Sequence, residues 1–168
     1  YPVMCHPLVG EDSVEGLAIQ ILKASPREFA LVGLSMGGIV AMEILRLAPD
    51  RVSRVALLDS NPLAEKSEVK QRRIPQIEAA KAGDLRRIMR EEMKPNYLTD
   101  GPNQGAILDL CMAMATDLGP EVFVDQSNAL ASRPDQTETL KSFAGPALVL
   151  MGEDDALCPL DRHTLMHD

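Results

Sequence analysis

Gly33-Leu34-Ser35-Met36-Gly37-Gly38 decides how this chain is read. An apolar run of strand length, Phe29-Ala30-Leu31-Val32, precedes it, and a helical pattern from Ile39 to Ala48, stopped by Pro49, follows. A G-x-S-x-G pentapeptide between a buried strand and a helix is a nucleophile elbow, a turn sharp enough to hold the serine in a strained backbone conformation. A side chain at Gly33 or Gly37 is expected to collide with the neighbouring strand or helix. The helix begins at Ser35, so its first free N–H groups, starting with that of Met36, point at negative charge forming beside the hydroxyl. Ser35 is thus the candidate nucleophile, and the Met36 N–H is half of an oxyanion hole. The competing reading is an ordinary strand-to-helix turn with a capping serine.

Outward from the elbow, Ser13 to Ala24 reads as a helix with Asp12 or Ser13 as cap, an apolar stripe of Leu17, Ile21 and Leu22, and Ser25-Pro26 as its end. Val52 to Asp59 is a further strand, and its run Val55-Ala56-Leu57-Leu58 is apolar throughout, as strands buried on both faces of a parallel sheet are. Phe29 to Leu58 is therefore a strand–helix–strand crossover, right-handed on general grounds. Its helix is apolar nearly all round, with only Glu43 and Arg46 polar. From Asn61 to Phe143 the patterns are helical: one begins at Asp84, one spans Gln104 to Leu118, and one follows Gly119-Pro120. Strand character returns at Pro146 to Met151, and a last helix starts at Pro159. The domain reading is a core of residues 1–60 and 144–168 with a helical insert at 61–143.

Net charge is −8, from 17 basic and 25 acidic residues. That argues against nucleic acid, which needs clustered cations. Arg72-Arg73 and Arg86-Arg87 sit beside acidic residues on helical patterns and read as solvated faces. No apolar run approaches the ~20 residues that span a bilayer, so no membrane partner is expected. Cys5, Cys111 and Cys158 are widely spaced, without a C-x-x-C pair, and read as reduced thiols in the cytoplasm rather than as a disulfide frame or a metal site. The chain opens on Tyr1 rather than Met, in a strand-like run to Cys5.

The elbow, the strand after it and Gly152-Glu153-Asp154-Asp155-Ala156-Leu157-Cys158-Pro159 together resemble the α/β-hydrolase family. The resemblance implies an α/β fold, a parallel sheet flanked by helices, with the insert as a cap over the substrate pocket. It also implies that Asp155, in a G-x-x-D-x-x-x-P pattern, is the acid of a Ser–Asp–His triad. An aspartate after a late strand lies at the carboxyl edge of the sheet, where ligands of open α/β sheets bind, and it orients the histidine that takes the serine proton. Asp154 is its rival neighbour, and the proline spacing favours Asp155. Asp59 is a second candidate acid, or a structural residue bonding the loop at Asn61. Asp154 and Asp155 also suit a turn capping the last helix.

Two departures stand out. The family's histidine follows a further helix and strand, whereas only a short tail follows Asp155. His163 and His167 fall on the last helix and read as surface residues, and His6 precedes Ser35, against the family's order. The loop that usually brings the second oxyanion donor, often marked by a His-Gly pair, is not visible before Ser35. The expectation is therefore a hydrolase lacking strands at both ends, prone to self-association through unpaired sheet edges. The activity expected is hydrolysis of a small ester through an acyl-serine intermediate, with no cofactor or metal. Met89, Met93, Met112, Met114, Phe123 and Leu130 line its acyl pocket or form the insert's own core. A non-catalytic small-molecule-binding protein, an acyltransferase, a haloperoxidase-like enzyme and a thioesterase remain the alternatives.

Overall fold

Strands β1 (Phe29–Leu34), β2 (Val52–Leu58) and β3 (Ala147–Leu150) pair in parallel in the order β1-β2-β3, so their carboxyl ends lie along one edge. Leu34 sits opposite Leu58, and Leu58 opposite Leu150, which aligns the three strand ends. The computed structural model describes residues 2–168.

Helices α1 (Val14–Ala24) and α2 (Met36–Leu47) pack against each other on one face of this sheet. Leu17, Met42, Ile44, Leu45 and Leu57 are fully buried there. Each such side chain contributes ~1.5–3 kcal/mol relative to exposure. Ser13 caps α1 by accepting the Gly16 N–H at 3.1 Å. The far end of α1 is closed from outside: Arg51, in the 3-10 turn Pro49–Arg51, donates to the carbonyls of Leu22, Ser25, Pro26 and Arg27. Its guanidinium also lies 5.6 Å from the centre of the Phe29 ring, tying the α1 terminus to the start of β1.

The other sheet face is bare. Val32 (70% exposed) and Leu34 on β1, and Leu148 and Leu150 on β3, alternate with inward residues and meet no helix. Parallel sheets are ordinarily covered on both faces, and here these four residues leave an exposed apolar patch on the sheet.

Between β2 and β3 the chain is helical: α3 (Ser67–Lys81), α4 (Leu85–Ile88) continuing into a π-helical turn (Met89–Met93), α5 (Gln104–Ser132) and α6 (Thr137–Ser142). Within α5, Gly119 has φ 84° and ψ 175°, so Gly119-Pro120 joins two helices, as their sequence predicts. α3 carries Pro75 in its interior and has no clear apolar stripe, which hid its bounds from periodicity. The final helix, α7, is Leu160–His167.

Two expectations are corrected. Residues 2–5 are not a strand, because no strand of the sheet lies beside them to supply hydrogen bonds; Tyr1 lies outside the described residues. His163 is not on the surface: it is 4% exposed, since it shares the inward face of α7 with Met166. His167, at the end of the same helix, is exposed as expected.

Candidate active site

The elbow begins with a backbone constraint. Ser35 has φ 51° and ψ −116°, a region that costs a non-glycine residue ~1–3 kcal/mol. Four hydrogen bonds hold it there. Its N–H donates to the Leu58 carbonyl at 2.8 Å, and its own carbonyl accepts from Gly38 N, Ile39 N and the Ser60 hydroxyl. The side chain is exposed, beyond the carboxyl end of β1.

The glycines divide the work differently from the sequence expectation. A Cβ on Gly33 would stand 2.5 Å from the Gly37 carbonyl carbon and 2.6 Å from the Gly38 nitrogen. On Gly38 it would stand 2.6 Å from the Ser60 Cβ. On Gly37 it would meet nothing within 4 Å, which corrects the collision expected there. The elbow's close approach to the β2 end is made by Gly38 against Ser60, because that face of α2 turns toward the next strand. The Met36 N–H, first in α2, has no intrahelical acceptor, and Met36 stands beside Ser35 at the start of the helix.

Asp155 lies on the loop after β3. Its Oδ1 accepts the Leu157 and Cys158 N–H groups at 2.8 and 2.9 Å, so one oxygen shapes the turn into α7, as the capping alternative anticipates. Asp154 is exposed. Asp59, in a left-handed conformation at φ 44°, accepts the Gly152 N–H at 2.8 Å, while its own N–H donates to Leu150 O. Asp59 therefore stitches β2 to the Asp155 loop and does not bond the loop at Asn61; there Asn61 bonds Leu63 itself.

A cavity of about 870 Å³ lies between this edge and the helices of 61–143, with Ser35, Met36 and the 156–159 segment beside Asp155 in its wall. Met89, Met93, Met114, Phe123 and Leu130 line it, the first of the two readings their sequence allowed. Met112 does not: it faces the opposite side of α5, in a shallow depression with Arg86 and Asp109. Cys158 also lines the cavity. Burial and then the Asp155 carboxylate push its thiol up to about 11, so it stays protonated and unreactive near neutrality. None of the three histidines lines the cavity. His163 Nδ1 lies 3.3 Å from the Pro159 carbonyl, and its buried Nε2 has no partner among the described residues.

Sequence reading missed the polar wall. Glu65 (4% exposed) is shared by Arg73 (14%) and Arg133 (9%): Arg73 Nε and Nη2 donate to its two oxygens, and Arg133 Nη1 reaches Oε1 at 2.6 Å. Arg73 is thus not on a solvated face, a correction caused by the α3 turn that aims it at the loop after β2. Burial alone would raise the Glu65 carboxyl, but the Arg73 hydrogen bond and both guanidinium charges outweigh it and hold the group below its usual range. A second long-range link joins Gln136 Nε2 to the buried Glu43 of α2, which also pairs with Arg46 at 2.6 Å. Partners this far apart in the chain leave no spacing signal in sequence.

Among the described residues, no group of His, Cys, Asp and Glu is arranged to hold a metal ion. No helix among them is long and apolar enough to cross a membrane.

Comparison with known proteins bears on this geometry. Over 54 residues the chain is 39% identical to the pimeloyl-[acyl-carrier protein] methyl ester esterase of Photobacterium profundum, covering 32% of this chain and 21% of that protein. Over 169 residues it is 24% identical to the biotin biosynthesis bifunctional protein BioHC of Teredinibacter turnerae, covering 89% of this chain and 29% of that one. Its structure is similar to a malate-bound thermophilic esterase from Thermogutta terrifontis, with TM-score 0.83, 28% identity, and coverage of 94% of this chain and 60% of that one. The fold is also shared with the enol-lactonase of Burkholderia xenovorans, with TM-score 0.79, 19% identity, and coverage of 92% and 60%. The chain spans less than a third of the length of these curated relatives and about 60% of the solved structures. The alpha/beta hydrolase family as a whole matches residues 6–167, and with the parallel sheet, the elbow and the helical segment in place, this chain belongs to it.

Proposed function

We propose that this chain carries the nucleophile and the acid of a serine hydrolase acting on small carboxylic esters. The observation that carries the reading is the strained, exposed Ser35 at the mouth of a helix and in the wall of an apolar-lined cavity. In the proposed reaction Ser35 Oγ attacks the ester carbonyl carbon and gives up its proton. The Met36 N–H stabilises the oxyanion, the C–O bond breaks, and the alcohol leaves with a proton. Water then cleaves the acyl-serine to release the acid and restore Ser35. Asp155, on the same strand-end edge, would orient the histidine that accepts the Ser35 proton, and segment 61–143 would act as the cap. The esterase relatives support the reaction class. The three free cysteines fit a reducing compartment, and we place the chain in the cytoplasm.

Because no histidine of the chain stands at the cavity, a second reading has specific support: a binding protein of the same fold that does not turn over its ligand. A fluorophosphonate probe separates the two. Labelling that disappears in Ser35→Ala supports an activated nucleophile; an unlabelled chain with a native melting transition moves the assignment to binding. Self-association through the open edges of β1 and β3 belongs to the same proposal, and a monodisperse monomer in sedimentation would remove it.

A further inference from the structure

The Arg73–Glu65–Arg133 cluster carries two guanidinium charges against one carboxylate, and all three groups lie in the cavity wall. Neither arginine has another carboxylate within ion-pair distance among the described residues. A net charge held this far from water is costly unless something compensates it. The donors are also incompletely used. Arg73 commits Nε and Nη2 to Glu65, and Arg133 commits Nε to the Leu63 carbonyl and Nη1 to Glu65 and Leu130 O. Arg73 Nη1 and Arg133 Nη2 have no acceptor among the described residues, yet neither is a sealed, unsatisfied atom, so both are open to solvent on residues that line the cavity. The other carboxylate of this wall, Glu92, is answered by Arg87 and Gln76 at 2.9 Å each. Arg72 and Arg162 also line the cavity and add positive charge, and among the described residues the only carboxylate paired with Arg162 is the exposed Asp161 at 3.5 Å. A chain of net charge −8 thus encloses a locally positive cavity.

We infer that the cavity selects ligands bearing an anionic group, held by the free guanidinium nitrogens of Arg73 and Arg133. On the hydrolase reading, on which this substrate class rests, the substrate is an ester carrying a second, carboxylate-like group away from the bond that is cut. The planar fork of arginine suits such a group, and charge-assisted hydrogen bonds of ~1.5–3 kcal/mol give about a tenfold or greater preference for the anion.

The test compares monomethyl adipate with dimethyl adipate, which differ only at the anionic end. Binding to the full chain bearing Ser35→Ala is measured by calorimetry, so that turnover plays no part. The expected result is at least about tenfold tighter binding of the monomethyl ester, weakening as salt is raised. Adding Arg73→Met, which leaves a neutral Arg133–Glu65 pair, brings the ratio toward one, and adding Glu65→Gln raises it. Circular dichroism and melting establish that each variant is folded; should Arg73→Met unfold, Glu65→Gln and the salt series decide. Equal binding of the two esters, no binding of the monomethyl ester, or a ratio insensitive to salt and to these substitutions overturns the inference. The two readings fail separately. Hydrolysis of both esters by the parent chain without preference removes the anion selectivity alone, whereas selective binding without hydrolysis removes only the esterase assignment.

Discussion

At the elbow, the contacts that position Ser35 all engage its backbone and come from near neighbours or the adjoining strand end: the main chain of Leu58, Gly38 and Ile39 and the Ser60 hydroxyl. Across the cavity, the opposite wall is held by side-chain charges drawn from separate parts of the chain, Glu65 with Arg73 and Arg133. The first arrangement tolerates little change in shape, because an added methyl group meets main chain at Gly33 and the Ser60 side chain at Gly38. The second tolerates shape but not a change in charge balance. A nucleophile needs a fixed direction, whereas a ligand-binding wall needs a fixed electrostatic character, and the two regions are built accordingly.

Removing one member of the buried cluster should break this contrast most severely. Arg133→Met is expected to destabilise the fold by about 1–3 kcal/mol in urea unfolding: Glu65 keeps Arg73, but the hydrogen bonds from Arg133 to Glu65 and to the Leu63 and Leu130 carbonyls are lost. The acid limb of stability should reveal the same group. Since Glu65 is held below its usual range in the folded state, its contribution is present above the unfolded carboxylate range and lost as pH falls through the lowered folded value. Glu65→Gln should flatten that acid limb in a series of urea midpoints against pH.

The elbow is sharpened by a purely steric set. Gly33→Ala and Gly38→Ala should each cost about 1–3 kcal/mol by overpacking, as read from thermal unfolding. Gly37→Ala, whose methyl group enters open space on a helix, should instead stabilise by up to ~1 kcal/mol. Equal losses at all three positions would mean that crowding at the turn is not what the glycines relieve. The smallest effect lies away from both regions. Ser13→Ala, which deletes the cap of α1, should lower stability by ~1 kcal/mol and leave ligand binding unchanged.

Much of the fold was legible because it rests on local rules. The apolar runs at Phe29, Val55 and Ala147, the Ser13 cap, and the break at Gly119-Pro120 each state an element through its own residues. Ser35, Met36 and Asp155 were legible as candidates for the same reason: a strand end, a helix start and a turn are short-range features. Other readings failed where a residue's surroundings come from elsewhere. The Tyr1–Cys5 run has strand composition but, over residues 2–5, no strand to pair with. His163 sits on a helix whose inward face was not visible from its polarity.

What the sequence determined by itself is the order of strands and helices and the presence of a serine in a turn too tight for a larger neighbour at Gly33. Backbone sterics and hydrophobic periodicity act over a few residues, so they are written where they operate. Only the tertiary structure decided that Gly37 is free, that Asp59 ties the Asp155 loop to β2, and that Arg73, Glu65 and Arg133 meet to leave one positive charge facing the cavity. Those outcomes depend on distance in space, and Coulomb energy, desolvation and steric contact follow that distance rather than position along the chain.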